Sequence, residues 1–202
     1  MAKKVIEIDS DKLEKLAEKV AEKLSEKEFE IRSAHLKDMS CNYTYEVLTG
    51  KTRGDVMTRK GAQIIHEDLD KAFSEMDVFL AHIDGAFSSW SNNQTPIQDL
   101  EAEGELSNYG VSGFKISGVD ENKSVILSGY KETGYGIITF ETPKIKLSSS
   151  YLYVEELRDR LKVVLDEVEA YMNGKTAPQY ETAAIEFPEN ENDEEFENAK
   201  VD

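Results

Sequence analysis

The chain has 202 residues, with 24 Lys/Arg against 41 Asp/Glu, a formal net charge of −17 and 39% hydrophobic residues. That length holds one large domain or two small ones sharing a core, and the charge argues against tight, indiscriminate polyanion binding. A single cysteine, Cys41, excludes an internal disulfide and suits a reducing cytosol; with no apolar run near roughly 18 residues and no signal-type leader, a cytoplasmic, membrane-free protein is expected.

Residues 1–28 form the first segment, with a helix predicted over 10–27. Leu13, Leu16, Val20 and Leu24 make its apolar stripe, Asp9 or Ser10 can cap it, and Glu14, Lys15, Glu18 and Lys19 interleave on the other face. The stripe is narrow, near a heptad seam, so the helix docks on its own domain or pairs with a second copy. Docking is the favoured reading, and a homo-oligomer is the other.

Residues 29–85 read as the first unit of strands and helix. Strands are expected at 29–36, 41–48, 55–60 and 63–65. The 4-3-4-3 spacing of Leu69, Phe73, Met76, Leu80 and Ile83 then predicts an amphipathic helix, ended by Gly85. Cys41, Tyr43, Tyr45 and Val47 share one strand face. That face either packs on the helix at 67–83 or presents rings for nucleobases. Residues 86–108 read as a linker with an acidic run at 101–105. Trp90 inside it is expected to tuck onto the domain.

Residues 109–174 repeat the pattern. Alternation at 111–118, 125–131, 136–142 and 144–147 predicts four strands. Leu157, Leu161, Val164, Val168 and Tyr171 then repeat the 4-3-4-3 stripe, and Asn173-Gly174 closes it. The repeat is one of pattern rather than identity. The expected fold is therefore α+β: antiparallel sheets backed by helices, built from a strand-strand-strand-strand-helix unit that occurs twice. Residues 175–202 form a tail, with an extended piece at 182–187 and a disordered acidic stretch at 188–197.

No enzyme is expected. His35, His66, His82 and Cys41 stand in no metal-ligand spacing, and no glycine-rich loop fits a phosphate fingerprint. Cys41 points with Tyr43 and Tyr45 and reads as packed rather than nucleophilic. No cofactor and no metal follow from these residues. Charge distribution says more. Residues 29–65 hold six Lys/Arg and four Asp/Glu, and residues 109–150 hold five and four, whereas residues 66–108 hold one and ten. The strand regions alone lean basic.

They interleave cations with rings: Arg32, Lys37, Tyr43, Tyr45, Arg59 and Lys60 in the first, and Lys115, Tyr130, Lys131, Tyr135, Lys144 and Lys146 in the second. Single-stranded nucleic acid is held by that mixture, cations tracking phosphates while rings stack bases. The bland alternative is a solvated sheet face. The doubled four-strand-plus-helix pattern resembles the whirly and PUR class of single-stranded DNA-binding folds, and Lys60-Gly61-Ala62 is similar to part of the whirly motif. The hairpin 113–129, Thr142-Pro143 and the acidic helix resemble small phage- and prophage-encoded proteins. The acidic tail, with Glu194, Glu195 and Phe196, is similar to the partner-recruiting tails of single-strand-binding proteins, although this chain ends Ala199-Lys200-Val201-Asp202. The resemblance implies a phage replication or recombination protein that binds single-stranded DNA or RNA and recruits partners through its tail. The alternative is a virion component or host inhibitor acting through its acidic surface.

Overall fold

The structure is a computed structural model and describes residues 27–87, 95–102 and 104–178. The predicted N-terminal helix, Trp90, the extended piece at 182–187 and the tail residues Glu194, Glu195 and Phe196 lie outside the described residues.

The period-two segments form strands: β1 (Phe29–Lys37), β2 (Ser40–Val47), β3 (Val56–Arg59), β4 (Tyr109–Ser117), β5 (Ser124–Thr133), β6 (Gly136–Glu141) and β7 (Ile145–Lys146). Each half of the chain makes a three-stranded antiparallel meander. The β1–β2 connection has two residues, and both Asp38 (φ 49°) and Met39 (φ 62°) are left-handed. That twist is the one a two-residue hairpin requires.

Sequence patterning leads one to expect sheets in the plural, but the two meanders share one. β1 pairs antiparallel with β4 through Ser33–Lys115, Ala34–Phe114 and His35–Gly113, giving the order β3-β2-β1-β4-β5-β6. The predicted fourth strand survives differently in the two halves. β7 pairs with the start of β5, after the break at Pro143. Residues 63–65 leave only an isolated bridge, Ile65 to Thr176.

The helical stripes also hold, with one interruption. Leu69, Phe73, Met76 and Leu80 are all buried, yet the helix splits into α1 (Glu67–Ser74) and α2 (Asp77–Asp84). At the break the Glu75 carbonyl accepts a 2.6 Å hydrogen bond from the Arg160 guanidinium. Gly85, at φ 78°, closes α2 in the left-handed conformation. A short α3 (Ile97–Glu101) buries Ile97 and Leu100. The long α4 (Val154–Met172) buries Leu157, Leu161, Val164, Val168 and Tyr171, the predicted stripe.

Helices cross between the halves. Phe73 of α1 packs on Phe114 of β4, with ring centroids 6.1 Å apart. Leu80 of α2 lies against Gly129 of β5. α4 returns over β1 and β2. The Cys41-Tyr43-Tyr45 face, expected on the helix at 67–83, therefore meets α4 instead. Tyr43 stands edge-on to Tyr171 at 6.4 Å, and the Tyr171 hydroxyl donates to the Gln63 carbonyl at 2.7 Å. The crossing follows from the shared sheet: each helical element is long enough to reach the strands of the other half once β1 and β4 are neighbours. Burying five apolar side chains along α4 contributes on the order of 10 kcal/mol as an upper bound. The core-forming helices lie on one face, and among the described residues no helix packs on the other.

Candidate nucleic-acid interface

Strand parity sorts the predicted binding residues onto two faces. Positions opposite each other in an antiparallel ladder share a face, so the register assigns each side chain. Tyr43, Tyr45 and Arg59 fall on the helix-bearing face, as does Lys131. Arg32, Lys37, Lys115, Tyr130 and Lys146 fall on the open face. Lys60 is exposed just after β3, Tyr135 is fully exposed at the tip of the β5–β6 hairpin, and Lys144 is exposed between β6 and β7. The twelve residues thus do not form one surface.

On the helix-bearing face Lys131 is engaged. Lys131 Nζ lies 2.8 Å from Asp84 Oδ2 and 4.9 Å from the Tyr109 ring centroid, while the Tyr109 hydroxyl donates to the same carboxylate at 2.6 Å. Burial pulls the Asp84 pKa up, but hydrogen bonds from Lys131 and Tyr109 outweigh it and hold the carboxyl below its ordinary range. The same hydrogen bond raises Lys131. Lys131 fastens the end of α2 to β5.

Arg32, at a bulge in β1, donates to Glu46 Oε2 at 2.9 and 2.6 Å and lies 3.0 Å from Glu30 Oε2. It also donates to the Gly118 carbonyl at 3.2 Å. Its charge is already matched inside the fold. Lys37, Lys115 and Lys146 form no ion pair among the described residues.

The centre of the open face has a construction that cations and rings alone do not reveal. β4 carries Gly110 and Gly113, and each sits under a ring from a neighbouring strand. A Cβ on Gly110 would lie 2.4 Å from Tyr130 Cζ, and one on Gly113 would lie 2.6 Å from His35 Nδ1. The absent side chains let the phenol and the imidazole settle onto the sheet. Tyr130 is exposed, and so is His35. Lys37 follows His35 two residues along the same face, and Lys115 pairs with Ser33 beside them. Hydroxyls of Ser33, Thr44, Thr58 and Ser128 surround the group.

His35 was not among the expected residues, because histidines were weighed only as metal ligands. The signal that could have found it is the pair of glycines inside an otherwise regular strand, which marks a close approach. Two other histidines are structural. His82 is held neutral-leaning by burial and meets the hydroxyl of Tyr151 at 3.2 Å. His66 caps α1, its Nδ1 accepting from the Asp68 amide at 3.2 Å. Cys41 is fully buried, and burial pushes its thiol up to about 12. No group of three or more His, Cys, Asp or Glu gathers into a metal-binding arrangement among the described residues. No helix among them is long and apolar enough to cross a membrane.

No protein-family model, curated protein or solved structure significantly matches this chain.

Proposed function

We propose that this protein binds single-stranded nucleic acid across the face of its sheet opposite the described helices, in a replication or recombination setting. The observation that carries the reading is the pair of rings, Tyr130 and His35, seated on Gly110 and Gly113 with the unpaired Lys37 and Lys115 beside them. Rings held against a sheet offer π-faces to unstacked bases, and each stacked base contributes about 1–3 kcal/mol. Lysines without internal partners are the ones free to replace counterions along a backbone. The binding set is therefore Tyr130, His35, Lys37, Lys115 and Lys146. Tyr43, Tyr45 and Lys131 serve the core side. The net charge of −17 disfavours duplex binding and makes complementarity local.

The test is fluorescence anisotropy of a labelled single-stranded oligonucleotide with the full chain. Three lysine contacts should give a salt slope of about −2, at roughly 0.7 per contact. Lys37→Glu with Lys115→Glu should abolish binding while the circular dichroism spectrum is unchanged. Undiminished binding by that folded variant would remove the open face from the account.

A second observation favours a protein contact. Among the described residues β6 is a sheet edge that pairs only with β5. It exposes Ile137 and Ile138, at 65% and 54%, and its only charge is Glu141. Such an edge is a template for another strand. Antiparallel self-pairing about Ile138 sets Ile138 against its own copy, Ile137 against Thr139, and Glu141 opposite Tyr135 rather than another carboxylate. A second copy of this chain is the partner that fits. Sedimentation should show a dimer that Ile138→Lys converts to monomer; a wild-type monomer at high concentration would exclude it.

A further inference from the structure

The β1–β4 ladder is short, and beyond His35 the two strands part. A cavity of about 770 Å³ opens in the gap, within the range of small-molecule sites. Its floor is apolar: Leu36, Ile65, Phe73 and Val111. Four carboxylates line it, Asp38, Glu67, Asp70 and Asp77, against the single ammonium of Lys37.

Asp77 opens α2 and is the deepest of these groups. Its Oδ1 accepts a 2.6 Å hydrogen bond from the Val111 amide. Its Oδ2 has no partner among the described residues. No buried side-chain oxygen among them lacks a partner, so Oδ2 keeps some exposure, and Asp77 lines the cavity. No cation of the described residues comes within ion-pair distance of it. A carboxylate fixed by one oxygen at the wall of a cavity with an apolar floor, and left without a counter-charge among the described residues, is half of an ion pair.

We infer that the cavity binds a small organic amine, its ammonium group on Asp77 Oδ2 and its apolar body on Phe73 and Val111. The cavity shares Lys37, Gly110 and Tyr130 with the proposed nucleic-acid face, but the amine inference does not rest on that reading. The cavity is larger than one lysine side chain fills, which favours a free ligand over a residue presented by a protein. Burial supports the same polarity: it pushes the Asp77 carboxyl up to about 7, with the nearby Asp70 charge acting in the same direction and the Val111 amide opposing both. A bound ammonium would reverse that and release a proton where Asp77 starts protonated.

The probe is n-hexylammonium, with 1-hexanol as its neutral match, titrated into the full chain and followed by NMR. Saturable shifts confined to Leu36, Ile65, Phe73 and Val111 are expected with the amine. Binding should be roughly tenfold weaker or more with Asp77→Asn, and likewise weaker for the wild type when pH falls from about 8 to about 5.5. The other charged groups facing Asp77 are Asp70, Glu67 and His66 from α1 and its cap, and Lys37 and Asp38 from β1 and its turn, with Tyr130 facing it from β5. His66→Gln therefore accompanies the pH series and should keep the same profile. The wild-type pH series stands even if Asp77→Asn does not fold. Equal affinity for hexanol, no effect of Asp77→Asn in a folded variant, a flat pH profile, or no saturable shift would each overturn the inference. So would an equally tight response to N-acetyl-lysine amide, which would assign the cavity to a partner's lysine.

Discussion

Replacing Asp77 by asparagine should stabilise this protein, by an amount that grows as pH rises from about 4 and is complete above about 7. The carboxyl has an ordinary value of 3.8 and sits at about 7 in the fold, chiefly because burial disfavours its charge. Its folded-state pKa is thus raised. Below 3.8 the group is protonated in both folded and unfolded chains and contributes no pH dependence. Between the two values the unfolded chain loses its proton first, and stability falls as pH rises. Above about 7 the loss is complete. At about 1.4 kcal/mol per pH unit, the interval corresponds to roughly 4 kcal/mol as an upper bound. Asparagine retains an oxygen for the Val111 amide and has no charge to bury, though its amide still opens into the cavity. The expected gain is therefore about 1–4 kcal/mol at about pH 8, shrinking toward zero near pH 4. Urea unfolding of both chains across that range reads it directly. A difference that stays flat with pH, or an asparagine variant that is less stable at about pH 8, would refute the reasoning that Asp77 is an uncompensated, half-buried charge.

Other substitutions separate the two faces of the sheet. The nearest atoms to a Cβ at Gly110 belong to the Tyr130 phenol, so with Gly110→Ala the fold should survive while the ring is displaced; oligonucleotide affinity should drop by about 1–2 kcal/mol, measured by anisotropy. Lys131→Met should leave that affinity unchanged and lower stability by less than about 1 kcal/mol, because the Asp84 pair is partly exposed. Arg160→Ala removes the donor to the Glu75 carbonyl and the contact with Glu101, and should reduce stability by about 1–3 kcal/mol in urea titrations.

Much of this architecture is legible in the chain itself. Period-two runs and two 4-3-4-3 stripes locate most strands and the long helical segments, because local backbone geometry sets both periods, whereas α3 lies in the stretch read as a linker. Gly85 and Gly174 end their helices for the same local reason. What alternation cannot tell is which strands meet. The β1–β4 pairing joins residues some 80 positions apart through three residue pairs, and no local signal encodes it. From that pairing come the single sheet and the crossed helices, so Tyr43 meets Tyr171 rather than the first helix. The faces were more readable than the expected binding set implied. Lys131 shares parity with Leu127 and Gly129, and Tyr45 with Cys41; both sets point to the core side. Lys115 alternates against Phe114 and Ile116 and points away. His35 and the cavity at Asp77 needed the structure, since each depends on glycines or strand ends brought from distant parts of the chain.

The central claim is that bases stack on the helix-free face. Photo-crosslinking of a 5-bromouracil-substituted single strand to the full chain, followed by peptide mapping, tests it most directly. Crosslinks at Tyr130 and His35, lost with Lys37→Glu and Lys115→Glu together, are the predicted result. Crosslinks confined to Tyr43, Tyr45 or Tyr135, or none at all at low salt, would contradict it.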